Sequence, residues 1–173
     1  IVLIYIFIII EVFLYFKNLN FFILFYLLIS SISLLNINFL NFDYKSFNLF
    51  VLTIISFDIF SYIFGKLYGK RKILFKISPN KTFEGFLGGF SCSFLINLVY
   101  AFIYEININL KFLILIFLII LSAFFGDIIE SVFKRINNIK NSSNFLLGHG
   151  GFFDRFDSFI LAIVVYSFLY KII

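Results

Sequence analysis

The fold class that this sequence predicts is all-α: a multi-pass transmembrane helical bundle of about six spans with polar cytoplasmic loops. Three observations predict it. Of 173 residues, 62% are hydrophobic and only 13% are charged, against about 25% charged in soluble domains. The mean hydropathy is +1.09, too apolar for a domain of this size in water, because much of any folded surface stays in contact with solvent. The apolar residues also gather into runs near the length that a bilayer core demands, about 20 residues per helix. These facts exclude a soluble enzyme, a nucleic-acid-binding module and a disordered tail, so no nucleic-acid partner is expected. One Cys forms no internal disulfide, and one Cys with one His is too small a set for a zinc site.

The expected spans are 1–16, 19–40, 47–64, 83–104, 111–125 and 156–170. The first is short and would need further residues upstream to complete it; it lacks the basic leader and small-residue cleavage site of a signal peptide. It carries Glu11, for which its surroundings in sequence offer no polar partner. The chain divides into an N-terminal pair of spans, 1–46, and a motif-bearing region, 47–173. The third span carries Asp58, followed by Tyr62, Gly65, Gly69 and Lys70. An acidic residue inside a span marks a functional site by default, because unpaired charge is costly in lipid.

Sidedness follows from charge. The side reached after the first span holds 11 of the 14 basic residues; the other holds only Lys45, Lys111 and Lys171. Short loops rich in Lys and Arg stay in the cytoplasm. The two long polar loops, 65–82 and 126–155, therefore share the cytoplasmic face of the cell membrane, and both ends of the chain face outward.

Loop 65–82 has six basic residues and no acidic one. Such a run can anchor to anionic lipid and fix topology, which accounts for Arg71 and Lys72. It does not account for SPNKTFEG, where Ser78, Lys81, Thr82 and Glu84 cluster. Ser78 reads as a helix N-cap neighbour and Pro79 as a first-turn residue, so a helix start beside Lys81 makes an anion site. Gly85, Gly88 and Gly89 permit tight helix packing as well. Cys92 reads as a small core residue.

In FFGDIIESVFKR, Asp127, Glu130, Ser131 and Lys134 recur at helical spacing and share one face. One reading is a solvated stripe tied by i,i+3 and i,i+4 salt links; the other is a helix leaving the membrane with its polar stripe turned to an aqueous pocket. In GHGGFFDRFDSF, Gly148, Gly150 and Gly151 surround His149, and glycine-rich loops can aim N–H groups at phosphate oxygens. Asp154, Arg155 and Asp157 follow at the mouth of the last span, a combination that suits metal and phosphate together.

These segments together resemble the phosphatidate cytidylyltransferase (CDP-diacylglycerol synthase) family. Its S-x-x-K-R, K-D and H-G-G-x-x-D-R-x-D pattern resembles Ser131-Val132-Phe133-Lys134-Arg135, Lys140-Asn141 and His149-Gly150-Gly151-Phe152-Phe153-Asp154-Arg155-Phe156-Asp157 here. DIFSYIFGKLYGK is similar to D-x-x-A-Y-x-x-G-x-x-x-G-K, with Ser61 in place of Ala. SPNKTFEGFLGG is similar to S-P-x-K-T-x-E-G-x-x-G-G, with Phe83 where Trp is common. The resemblance covers about residues 50–173, in order and in spacing. Two positions depart from it: Asn141 stands where the family has Asp, and Leu147 where Pro is usual. The chain is also short for the family.

The resemblance implies that CTP and phosphatidate react to give CDP-diacylglycerol and pyrophosphate, in phospholipid biosynthesis. The nucleophile is then the lipid phosphate, whose second pKa near 6 leaves it mostly ionised at neutral pH. No protein base is required, and catalysis becomes positioning plus electrostatic stabilisation. Mg²⁺ is the implied cofactor, with Asp127 and Asp154 at the family's metal positions and Glu130 and Asp157 as further candidates. Lys134, Arg135, Lys140 and Arg155 are expected to neutralise phosphates, with His149 in the same catalytic set. Ser78, Lys81, Thr82, Glu84 and Ser131 are the expected nucleotide or phosphate contacts, and Asp58 and Tyr62 the lining of a polar cavity. The partners are CTP, phosphatidate in the bilayer and membrane lipid; a homodimer is an expectation from the resemblance alone. The competing readings are another CTP-dependent membrane lipid enzyme (a polyprenol or phytol kinase, or a CDP-archaeol synthase) and an inactive member kept as a membrane scaffold.

Overall fold

The computed structural model describes residues 2–18, 20–37, 43–75, 77–145 and 150–169. Among the described residues six helices follow one another: α1 (Val2–Tyr15), α2 (Asn20–Leu35), α3 (Tyr44–Tyr68), α4 (Phe83–Ile103), α5 (Leu110–Ile136) and α6 (Phe153–Leu169). Between α3 and α4 lies an antiparallel ribbon of β1 (Lys72–Leu74) and β2 (Ser78–Thr82). The protein is a membrane-embedded, multi-pass helical bundle. Of the expected spans, three meet the requirement for crossing a bilayer by length and apolarity: α3, α4 and α5, with 25, 21 and 27 residues. The other three helices have 14, 16 and 17 residues, which at 1.5 Å per residue gives roughly 21–26 Å against a hydrocarbon core of about 30 Å.

Local chemistry sets the helix starts. The Asp43 carboxylate accepts from Lys45 N–H at the head of α3, the Thr82 hydroxyl accepts from Gly85 N–H at α4, and the Asn109 side chain accepts from Phe112 N–H at α5. Each satisfies a donor that the helix itself leaves open. The helix expected to begin near Ser78 begins instead at Phe83. Ser78–Thr82 is extended, with Lys72 opposite Thr82 and Leu74 opposite Ser78, and Phe83 N–H donates to Arg71 O at 2.9 Å. Pro79 has no donor for a ladder, but a two-stranded ribbon is all edge and tolerates it. Loop 126–155 is likewise shorter than expected, because α5 continues through the polar stripe to Ile136.

Helices α3 and α4 meet along a seam of small residues. Gly85, Gly89, Ser93, Asn97 and Ala101 stand four apart on α4 and all are buried. A Cβ on Gly89 would lie 2.8 Å from Ser61 Cβ, and one on Gly88 would strike the Phe64 ring. Such close approach is what drives helices together where lipid removes the hydrophobic incentive. Hydrogen bonds stitch the seam: Thr53 Oγ1 donates to Asn97 Oδ1 at 2.8 Å, and Ser56 Oγ and Ser93 Oγ lie 2.9 Å apart. The main core packs Phe50, Phe57, Ile116, Ile119, Ile120, Ile163 and Tyr166 between α3, α5 and α6. A second cluster joins α1 and α2 to α6 through Ile8, Val12, Phe16, Ile23, Leu27, Phe153 and Ile160. Helix α6 therefore ties the N-terminal pair to the rest.

Candidate functional site

The polar segments converge at one end of the bundle. Lys81 on β2 reaches Asp127 on α5, Arg135 Nε donates to Ile77 O at 3.1 Å, and Lys134 on α5 reaches Asp154 on α6. Asn18, after α1, joins the same end through Asn137, whose side-chain Oδ1 accepts from its N–H at 2.6 Å. A cavity of about 310 Å³ opens there. Its walls are Asp58, Ser61 and Tyr62 of α3, Ser78, Asn80, Lys81 and Thr82 of β2, Gly85 and Phe86 of α4, Phe124 and Asp127 of α5, and Asp157 of α6.

Three carboxylates and one ammonium thus face a single cavity. Lys81 Nζ lies 2.5 Å from Asp127 Oδ2 and 5.4 Å from the centre of the Phe124 ring. Asp58 Oδ2 accepts from Ser158 Oγ at 2.9 Å, and Asp157 Oδ1 accepts from Ser158 N–H at 2.9 Å. Gly126 makes this convergence possible. A Cβ there would sit 2.6 Å from Asp157 O, so the absent side chain lets α5 and α6 touch where their acidic residues enter the cavity.

A second cluster lies beside the first. Lys134 Nζ is 2.6 Å from Glu130 Oε2 and 2.7 Å from Asp154 Oδ1. Of the two readings of this stripe, the salt link is present, as Glu130 and Lys134 form an i,i+4 ion pair, but the stripe is not solvated: Glu130 is buried and Asp127 lines the cavity. Glu130 is fully buried, and its Oε1 lacks a hydrogen-bond partner among the described residues. Asp154 Oδ2 accepts from Ser142 N–H at 2.9 Å, Ser142 Oγ at 2.8 Å and Gly151 N–H at 2.9 Å. Asp154 stands two residues ahead of the apolar run that begins at Phe156. Burial opposes its charge, but the hydrogen bonds from Lys134 and Gly151 N–H outweigh it and hold the carboxyl below the usual carboxylate range.

The glycine loop turns the N–H groups of Gly151, Phe152 and Phe153 toward the protein's own carboxylates. Gly151 N–H goes to Asp154, while Phe152 and Phe153 N–H go to Glu11 Oε2 at 2.8 and 3.4 Å. The positive φ of Gly150, 81°, shapes the turn. His149 and Leu147 lie outside the described residues, as do Lys76, Gly148 and Lys171.

The remaining sequence candidates separate by place. Asp58, Tyr62, Ser78, Lys81 and Thr82 line the cavity with Asp127 and Asp157. Glu84 faces the ribbon instead, accepting from Lys70 N–H at 3.0 Å and Arg71 N–H at 3.1 Å. Ser131 is half-buried on α5, and Arg135, Lys140 and Arg155 are exposed. Arg155 lines a second, mostly apolar cavity of about 360 Å³ with Asp58, Ser158, Phe47, Val51, Ile54, Ile55, Phe156 and Phe159. Sequence reasoning missed Ser158 and Asn80, which carry no motif weight, and it left Glu11 without a partner. The only available signal for Glu11 was its position in an apolar run.

The donor set suits a divalent cation. Mg²⁺ takes hard oxygen ligands and is ordinarily held by one or two carboxylates together with waters and phosphates. Three carboxylates against one ammonium leave acidic excess at the cavity for such an ion. Among the described residues, no three His, Cys, Asp or Glu side chains stand together as a ready-made cage.

A model of the cytidylyltransferase family matches residues 1–173 of this chain. Among curated relatives, phosphatidate cytidylyltransferases of Staphylococcus haemolyticus, Staphylococcus saprophyticus and Staphylococcus aureus (strain COL) are 47%, 49% and 45% identical to it over 114 residues. That stretch is 65% of this chain and 44% of each relative, so the match takes in less than half the length of those proteins.

Proposed function

The chain belongs to the cytidylyltransferase family, and on that premise we propose that it joins CTP to phosphatidate, giving CDP-diacylglycerol and pyrophosphate. A lipid phosphate oxygen attacks the α-phosphorus of CTP. A new P–O–P bond forms, the bond from the α-phosphorus to the bridging oxygen of the β-phosphate breaks, and pyrophosphate leaves with that electron pair. The observation that carries this reading is the 310 Å³ cavity at one end of an apolar bundle, where Lys81, Asp127, Asp157 and Asp58 come together with the hydroxyls of Ser78 and Thr82.

Two polyanions must approach each other, so the task of the site is to manage charge and geometry. Lys81 offers an ammonium to the nucleotide phosphates. Asp127, with Asp157 across the same cavity, would hold Mg²⁺. That ion supplies charge neutralisation and polarises phosphoryl oxygens when bound. Asp154 and Glu130, the other two metal candidates, hold Lys134 at the edge of the site. Arg135, Lys140 and Arg155 add positive charge at the same end. The apolar cavity beside Phe47, Ile54 and Phe159 offers a place for an acyl chain, with Arg155 at the phosphate level. The excess of basic residues at this end supports a cytoplasmic orientation, the side on which CTP is found.

The test is to incubate the full chain in detergent with radiolabelled CTP, phosphatidate and Mg²⁺, and then extract the lipid. Label in CDP-diacylglycerol with release of pyrophosphate is the expected outcome. Release of CDP would instead mark a kinase, and no labelled product of either kind would mark a scaffold.

A further inference from the structure

We infer that Glu11 is a positioning residue: from α1 its carboxylate clamps the first turn of α6 and so fixes the Gly151 turn that holds Asp154, the partner of Lys134 on α5. Glu11 is fully buried in an apolar helix, where a carboxylate without partners is costly. Its backbone partners come from 141 and 142 residues away. Oε2 accepts from Phe152 N–H at 2.8 Å and from Phe153 N–H at 3.4 Å, donors that the start of a helix leaves open and whose dipole favours an anion.

Gly151 completes the lock. A Cβ there would strike Glu11 Oε1 and Ser142 Oγ, so the absent side chain lets the loop settle onto this carboxylate. Gly151 N–H and Ser142 both donate to Asp154 Oδ2, and Asp154 Oδ1 receives Lys134. Glu11 lines neither cavity. Its influence passes through this turn to Asp154 and Lys134 at the edge of the site, and a displacement of about 1 Å in groups beside the chemistry can cost roughly 100-fold in rate.

The inference rests on the proposed reaction, and two measurements separate its failure from that of the reaction. In detergent, Glu11→Ala should lower kcat roughly 10- to 100-fold per folded molecule while KM for CTP changes less than about threefold. Glu11→Gln keeps an oxygen for both N–H groups and should stay within about fivefold of the wild-type kcat. Independently of activity, backbone hydrogen exchange at Phe152 and Phe153 should quicken in Glu11→Ala and stay slow in Glu11→Gln. Unchanged exchange in Glu11→Ala overturns the clamp. Faster exchange with a wild-type kcat overturns the positioning role and leaves a structural tie alone. If the wild-type chain forms no CDP-lipid, the reaction is wrong, and the exchange data still decide whether the clamp exists.

Discussion

Asp127 and Asp154 sit at the same end of the bundle, yet their surroundings differ in kind. Asp127 borders an open cavity and meets a single ammonium, that of Lys81. Asp154 is saturated: one oxygen receives Lys134 and the other receives three donors from Ser142 and Gly151. A carboxylate with spare lone pairs beside empty space can still bind something. One whose acceptor sites are filled by its own protein mainly organises that protein. The two residues look alike in sequence, as acids beside apolar runs, and only the donors around them tell them apart.

The comparison breaks most readily at Asp127. Asp127→Asn removes charge from the cavity and should cut cytidylyl transfer at least about 100-fold while leaving thermal stability nearly unchanged; a strong loss of stability would place Asp127 with Asp154 as a structural acid. Asp154→Ala should do the reverse in emphasis. Breaking a partly buried ion pair and leaving the Ser142 and Gly151 donors without their acceptor should cost about 3 kcal/mol, read as a lower melting temperature in detergent, with lost activity following the lost fold. Ser142→Ala takes away one of the three donors to Asp154 Oδ2 and should cost about 1 kcal/mol; no measurable change would mean that the saturation of Asp154 is energetically idle.

The smallest effect is one of pH. The Asp154 carboxyl is held down, so its stabilisation is fully present above the usual carboxylate pKa of about 4 and is lost only as pH falls through the lower folded value, about 2. The stability difference between the wild-type chain and Asp154→Asn should therefore stay flat from pH 8 to about 5 and narrow only below about 4. Narrowing that begins near pH 6 would show that the donors do not hold Asp154 as the geometry indicates.

Much of the architecture was legible because apolar runs and polar interruptions report directly on lipid and water. Helix α5 was read through Asp127 and Lys134 from their spacing alone. The ribbon at 72–82 was not, since its composition, basic and short with one Pro, reads equally as loop or helix start, and its pairing depends on contacts between Arg71 and Phe83. The gathering of Asp58, Lys81, Asp127 and Asp157 at one cavity agrees with the motif segments being near in space. What escaped was the division of those acids into two groups, and the partner of Glu11. Both depend on backbone N–H donors, which every residue but proline carries and no sequence pattern advertises.

The seam between α3 and α4 has a bearing on how this chain can change over generations. Its buried small residues recur every four positions from Gly85 to Ala101, and side-chain hydrogen bonds pair Thr53 with Asn97 and Ser56 with Ser93 across it. Inserting or deleting a single residue early in α4 would turn everything before it by about 100°, carrying Thr82 and Lys81 away from the wall they share with α3. Substitution on the lipid-facing sides of these helices is free to drift, whereas their length is not. The seam acts as a phase gauge, converting a count of residues into the angular setting of the cavity.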